Sequence, residues 1–198
     1  MGQEQNLRFH PYNIFLSLLL IGLTFMFLGL TAAYIYSRVQ NNAPALQLHP
    51  IFIFNTIILL GSSYTMYLAN RYYLQDHTDY YKRAILGTIM LSLLFLACQF
   101  YGWSALFADQ LFIDSNTSIS YLYLISGLHF LHVIGGLPFL LMFYITALKR
   151  MKEPHTVLIY FTNPEKRLKL NLLTLYWHFL DGLWLYLIIF FILNALIP

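Results

Sequence analysis

The chain contains 198 residues, of which 59% are hydrophobic and 10% are charged, whereas soluble domains have about 45–50% apolar and 25% charged residues. This composition excludes an ordinary soluble fold. The formal net charge of +3 arises from only 11 Lys and Arg residues, too few for the dense basic face of a nucleic-acid-binding protein. We therefore expect an integral membrane protein with no nucleic-acid partner.

Five apolar stretches follow in chain order, and each is long enough to cross a hydrocarbon core of about 30 Å as a helix. They cover approximately residues 12–37, 48–73, 85–107, 119–148 and 170–196. We expect helices because a helix satisfies its own backbone hydrogen bonds within the membrane. The polar segments between the stretches are too short to form separate domains. The predicted fold class is all-α, with a single transmembrane domain over 1–198 built as a bundle of five helices.

The positions of Lys and Arg predict the orientation, because short cytoplasmic loops carry an excess of positive charge. With the N-terminus in the cytoplasm, only Arg38 of the eleven Lys and Arg residues lies on the outer side. After five spans the C-terminus is then periplasmic. The ten residues on the cytoplasmic side are Arg8, Arg71, Lys82, Arg83, Lys149, Arg150, Lys152, Lys166, Arg167 and Lys169.

Ionisable side chains are rare within the spans and are concentrated in the fourth and fifth. His129 and His132 are three residues apart, as are His178 and Asp181, so each pair lies on one helical face. A charged Asp at a span centre costs roughly 2.5 to 3.5 kcal/mol on insertion scales, so such a group needs a partner or a task. We predict that the four residues form a structural polar cluster between spans four and five and are not catalytic.

Two alternatives assign these residues a specific function in metal binding or transport. Histidines on facing helices ligate heme in membrane b-type cytochromes, and a His and carboxylate group can bind a non-heme metal. Alternatively, Asp181 could be the coupling carboxylate of a small transporter. We favour the structural interpretation because only three histidines lie within the spans, which is too few for two bis-histidine hemes. The prediction is therefore no metal site in this chain.

Further polar and small residues within the spans favour contact between helices. Amide side chains in the membrane commonly make modest interhelical hydrogen bonds, and glycine lets two helices approach closely. The residues predicted to serve in interhelical packing or hydrogen bonding are Asn55, Gln99, Gly127, Gly136, Trp177 and Trp184.

Two motifs in the last two spans carry a family resemblance. The segment 176–184 reads Tyr-Trp-His-Phe-Leu-Asp-Gly-Leu-Trp and resembles the last-helix pattern Tyr-Trp-His-Phe-x-Asp-x-x-Trp of subunit III of heme-copper cytochrome c oxidases. The segment 127–136 resembles the Gly-x-His-x-x-His-Val-x-x-Gly segment of the same family. Weaker similarity extends over nearly the whole chain, which resembles the five-helix bacterial form. Leu23 and Gly102 stand where the family often has a glutamate.

This resemblance implies an accessory subunit of a proton-pumping terminal oxidase, which transfers electrons from cytochrome c, or alternatively from a quinol, to oxygen. Heme and copper would be held by partner subunits and none by this chain. The implied partners are catalytic subunit I, other oxidase subunits and membrane lipids, with bound phospholipid as a further ligand. The implied role is to stabilise the catalytic subunit and to support proton uptake. The five-helix form favours a bacterial cytoplasmic membrane.

Overall fold

The computed structural model describes residues 11–44, 48–151 and 163–196, and in these ranges the chain forms helices and no strands. The helices are α1 (Pro11–Gln40), α2 (Ile51–Leu74), α3 (Thr78–Ala108), α4 (Thr117–Arg150) and α5 (Pro164–Leu196). All five are long and apolar enough to cross a membrane. The prediction of an all-α protein with five membrane-spanning helices is confirmed. Arg8 and Lys152 lie outside the described residues.

Apart from α2, which begins at Ile51 within its predicted stretch of 48–73, the helices begin before the apolar stretches from which they were predicted. α3 begins at Thr78 rather than near residue 85, and α5 begins at Pro164 rather than near residue 170. Hydropathy detects only the part of a helix that lies among hydrocarbon, whereas the backbone continues as helix into the polar interface. Pro164 suits the first position of a helix because its missing N–H would have no partner there.

α2 and α3 form an antiparallel helical hairpin. The turn between them ends α2 with Asp76 in the left-handed region at φ 57°, and the His77 N–H donates to the Tyr72 carbonyl at 3.0 Å. This is the arrangement that commonly closes a helix C-terminus. Farther along, the Thr65 and Thr88 hydroxyls lie 2.9 Å apart. The hairpin is therefore tied by side chains as well as by its short connection.

α5 is the helix around which the others pack. In its most apolar segment 44% of the residues are buried inside the chain, against 17% for α1. Two contacts align α1 with α5 in the same direction. Thr31 Oγ1 and the Tyr186 hydroxyl are 2.7 Å apart, and Arg38 Nη1 donates to the Asn194 carbonyl at 2.7 Å. α5 is therefore the most buried of the five helices, and α1 packs along it on one side.

Candidate functional site

The candidate site is the face of α5 that carries Trp177, Asp181 and Trp184. These residues follow at the i, i+4 and i+7 positions that share one side of a helix, and they are 2%, 5% and 1% exposed. Trp177 Nε1 donates to Ser62 Oγ at 3.0 Å. Trp184 Nε1 donates to Thr56 Oγ1 at 3.2 Å. Both indoles therefore bury their rings and satisfy their only donor on α2.

His178 also finds its hydrogen-bond partner on α2. Ser63 Oγ lies 2.6 Å from His178 Nδ1, and the Asp181 carboxyl lies near the same Ser63 side chain. One small hydroxyl of α2 thus lies beside both polar residues of the α5 motif. In a membrane interior such a partner matters, because there is no bulk water to replace it.

The two histidines of α4 lie in different surroundings. His132 Nδ1 is 2.6 Å from the Leu128 carbonyl of its own helix, and the Tyr176 hydroxyl donates to the His132 carbonyl at 3.0 Å. His129 is fully buried, and its ring centroid lies 5.8 Å from that of Phe95 and 5.0 Å from that of Trp184. Aromatic rings, rather than hydrogen-bonding side chains, surround it.

These contacts correct one detail of the predicted polar cluster. We expected spans four and five to satisfy each other through His129, His132, His178 and Asp181. The hydrogen bond of His178 is instead made with Ser63 on α2, and Asp181 lies near the same side chain. Spacing along a helix fixes which residues share a face, but it does not say which neighbouring helix that face meets.

The glycines of the α4 motif differ in what surrounds them. A Cβ atom built at Gly136 would lie 2.7 Å from Trp177 Cζ3 and 3.0 Å from Tyr176 Cε1, which is closer than carbon atoms pack. Gly136 therefore makes room for Trp177 and brings α4 against α5. A Cβ at Gly127 would meet nothing within 4 Å. A packing role for Gly127 has no such contact among the described residues and stays a prediction.

Asn55 and Gln99 join α2 to α3 in the interior. Both side chains are fully buried, and Asn55 Nδ2 donates to Gln99 Oε1 at 3.0 Å. This is the kind of interhelical contact expected from the sequence. Asn55 directly precedes Thr56, which accepts the hydrogen bond of the Trp184 indole. The α2–α3 hairpin and the α5 motif therefore meet in one region of the bundle.

From the sequence, Ser62 and Ser63 are predicted only as small residues that permit close helix packing, whereas Ser62 is the acceptor of the Trp177 indole and Ser63 is the hydrogen-bond partner of His178. In a span rich in small residues, serine is easily taken as a packing residue only. A usable signal existed, because a buried indole N–H almost always has an acceptor. Within apolar helices only a few hydroxyl and amide side chains could provide one.

In the ranges 11–44, 48–151 and 163–196, no group of three or more His, Cys, Asp or Glu side chains is arranged to hold a metal ion.

Comparison with protein families gives a match to the family model described as cytochrome c oxidase subunit III, over residues 5–195 of this chain. The chain belongs to this family. The match includes both motifs and all five helices apart from the last residue of α5. As a family member, the chain is an accessory subunit of a heme-copper oxidase, embedded in a membrane by several helices and in complex with other oxidase subunits.

Individual relatives of subunit III agree with this assignment. The chain is 28% identical over 200 residues to cytochrome c oxidase subunit 3 of Emericella nidulans, with 96% of this chain and 70% of that protein covered. It is 29% identical to the subunit 3 of Synechocystis sp., covering 87% of this chain and 71% of the relative. It is 30% identical to the probable subunit 3 of Mycobacterium leprae, covering 84% and 80%.

The two departures from the subunit III pattern are explained by packing. Leu23 is 7% exposed, so an apolar side chain occupies a buried position of α1. A Cβ atom built at Gly102 would lie 2.9 Å from Ile51 Cγ2, so the first residue of α2 fills the space beside Gly102. A carboxylate side chain at Gly102 would therefore require Ile51 to move.

Proposed function

We propose that the chain is subunit III of a proton-pumping cytochrome c oxidase in a bacterial cytoplasmic membrane, where it stabilises the catalytic subunit and supports proton uptake. Heme and copper belong to the partner subunits, which reduce oxygen. The observation that carries the proposal is the family match over residues 5–195. The contacts of Trp177, His178 and Trp184 within the bundle support a structural role for the motif.

Cytochrome c is proposed as the electron donor, with a quinol as the alternative. The relatives from Emericella, Synechocystis and Mycobacterium are all named cytochrome c oxidase subunit 3. The bacterial location is supported by the last two of these relatives. Bound phospholipid is supported by large apolar side chains on the outer surface of the helices, among them Phe25 and Phe100 at 72% and 65% exposure. Acyl chains favour such a surface.

The proposed orientation places the N-terminus in the cytoplasm and the C-terminus in the periplasm. The structure supports it by gathering cations at one end of the bundle. Lys82 Nζ at the start of α3 donates to the Met151 carbonyl at the end of α4, at 3.0 Å. Lys169 near the start of α5 lies 5.2 Å from the centroid of the Tyr12 ring at the start of α1. Arg38 is at the opposite end, beside Asn194.

An affinity-tagged chain, purified in gentle detergent from the membrane of its own organism, tests this proposal. Mass spectrometry identifies the partners, and a reduced-minus-oxidised spectrum detects heme. We expect co-purification with a large subunit that contains heme and copper, together with the subunits that identify the electron donor. Recovery of the chain alone and without colour would contradict the proposal. Recovery alone with a heme spectrum would instead favour the b-type cytochrome alternative, with His129, His132 and His178 as ligands.

A further inference from the structure

His129 is a polar side chain enclosed by aromatic rings. It is fully buried, and neither Nδ1 nor Nε2 has a hydrogen-bond partner among the residues that the structure describes. The indole N–H of the adjacent Trp184 is already engaged with Thr56. Buried polar atoms nearly always have at least one partner, from protein or from ordered water. A neutral imidazole offers one donor and one acceptor, so two hydrogen bonds remain to be accounted for.

Three more buried polar atoms without partners in the described ranges belong to residues close in sequence to the rings that enclose His129 or to their hydrogen-bond partner. They are Asp181 Oδ2, Gln99 Nε2 and Asn55 Oδ1. Asp181 precedes Trp184 by three residues on α5, Gln99 follows Phe95 by four residues on α3, and Asn55 adjoins Thr56 on α2. The two helices whose rings contact His129, α3 and α5, therefore each carry an unpaired polar atom about one turn along the helix from the ring.

The absence of a direct hydrogen bond between His129 and these atoms suits a bridge rather than a direct contact. The offset of three or four residues from Trp184 and Phe95 corresponds to a rise of about 4.5–6 Å along the helix axis, more than the length of one hydrogen bond. Two successive hydrogen bonds through one water span roughly 5.5 Å, since each is about 2.8 Å long. The polarity also fits, because Gln99 Nε2 is a donor, a carboxyl oxygen accepts, and water can do both.

We propose that buried water binds at His129, bridging one ring nitrogen to Asp181 Oδ2 and the other to Gln99 Nε2. Buried waters occur about once per 27 residues and typically make about three hydrogen bonds, so such a site is ordinary for a chain of this size. The water between His129 and Asp181 connects the α4 motif to the α5 motif through two side chains that make no direct hydrogen bond to each other. The site is internal to this chain and does not depend on the electron donor of the complex.

The direct test is a cryo-electron microscopy map of the purified oxidase complex at a resolution that shows ordered water. We expect density within hydrogen-bonding distance of a His129 ring nitrogen and of Asp181 Oδ2 or Gln99 Nε2. A map in which both ring nitrogens contact only carbon atoms would overturn the proposal. So would a direct His129–Asp181 hydrogen bond with no water beside it.

A His129→Phe variant of the same complex gives a second test, because phenylalanine keeps a ring but removes both nitrogens. If water binds there, the water and Asp181 lose a partner and the thermal midpoint of the complex falls. If the nitrogens are unpaired, their removal relieves an unfavourable burial and the midpoint stays or rises, which overturns the proposal.

Combining His129→Phe with Asp181→Leu separates a bridge from a general packing effect. The two shifts should be less than additive when both residues bind one water. The control is His129→Phe with Thr174→Val, since the Thr174 hydroxyl donates to its own helix at Leu170, and these shifts should add. Additive shifts in both pairs would count against the bridge. The map of the unmodified complex decides the question even where a variant does not assemble.

Discussion

Trp177 needs space for its ring and an acceptor for its indole N–H, and two different helices provide them. The ring needs space, which Gly136 of α4 provides by having no side chain. The indole N–H needs an acceptor, which Ser62 of α2 provides at 3.0 Å. Trp177 thereby fixes the distance between α5 and α4 and the register between α5 and α2. Its conformation depends on both neighbours being small.

Gly136→Ala is expected to destabilise the subunit, because the new methyl group would lie 2.7 Å from the Trp177 ring. Overpacking of this kind typically costs about 1–3 kcal/mol. Gly127→Ala is the matched control, since a Cβ there meets nothing within 4 Å. Thermal denaturation of the purified complex, read as retention of this subunit, measures both. Equal effects of the two substitutions would contradict the assigned packing role of Gly136.

Ser62→Ala removes the acceptor of the Trp177 indole and leaves a buried N–H unpaired, which costs about 1–3 kcal/mol. We expect a lower thermal midpoint and a change in tryptophan fluorescence or resonance Raman signal that reports the lost hydrogen bond. Ser104→Ala is the control, because Ser104 is exposed and donates to the carbonyl of Phe100 in its own helix. An unchanged indole signal in Ser62→Ala would show that Ser62 is not the acceptor.

At the scale of helices, the sequence predicts the number of helices better than it predicts the contacts between them. Long apolar runs require a helix in a membrane, so the five helices follow from the sequence. The faces of α5 follow from the spacing of His178 and Asp181. Their partner Ser63 does not follow, because α2 and α4 both flank α5 and periodicity carries no information on the direction of a neighbour.

The α2–α3 hairpin offers a direct measure of one interhelical hydrogen bond. Replacing Asn55 or Gln99 by leucine leaves the other amide buried without its partner, whereas the double replacement removes both polar groups. We expect a coupling of about 0.6 kcal/mol, and at most roughly 1.7 kcal/mol, as for other membrane helices. A double-mutant cycle on the thermal or denaturant stability of the complex measures it. Zero coupling would show that the amides act independently.

At the scale of the whole molecule, the bundle has two chemically different ends. The α2–α3 turn, the end of α4 and the start of α5 share one end with most of the Lys and Arg residues, and Arg38 lies at the other. This asymmetry could be predicted from the sequence once the spans were counted. The contact between Arg38 and Asn194 could not, because it requires α1 and α5 to be neighbours running in the same direction.

Cysteine labelling tests the proposed orientation. In a background in which Cys98 is replaced by serine, Gln75→Cys and Asn41→Cys place single thiols at exposed positions on opposite ends of the bundle. A membrane-impermeant maleimide should label Gln75→Cys only in inside-out vesicles and Asn41→Cys only in right-side-out vesicles. The reverse pattern would invert the topology, and labelling of both from one side would contradict the number of spans between them.

The alignment of α1 with α5 has a consequence for biosynthesis. The contacts of α1 with Tyr186 and Asn194 involve a segment that leaves the ribosome about 155 residues after Thr31. At translation rates of about 5–20 residues per second, that is a delay on the order of ten seconds. The α2–α3 hairpin can form during this interval, whereas α1 must wait in the bilayer without its final neighbours. α1 therefore completes its contacts with α5 only after the other four helices have been made, and until α4 and α5 arrive it depends on lipid or on the insertion machinery to cover its surface.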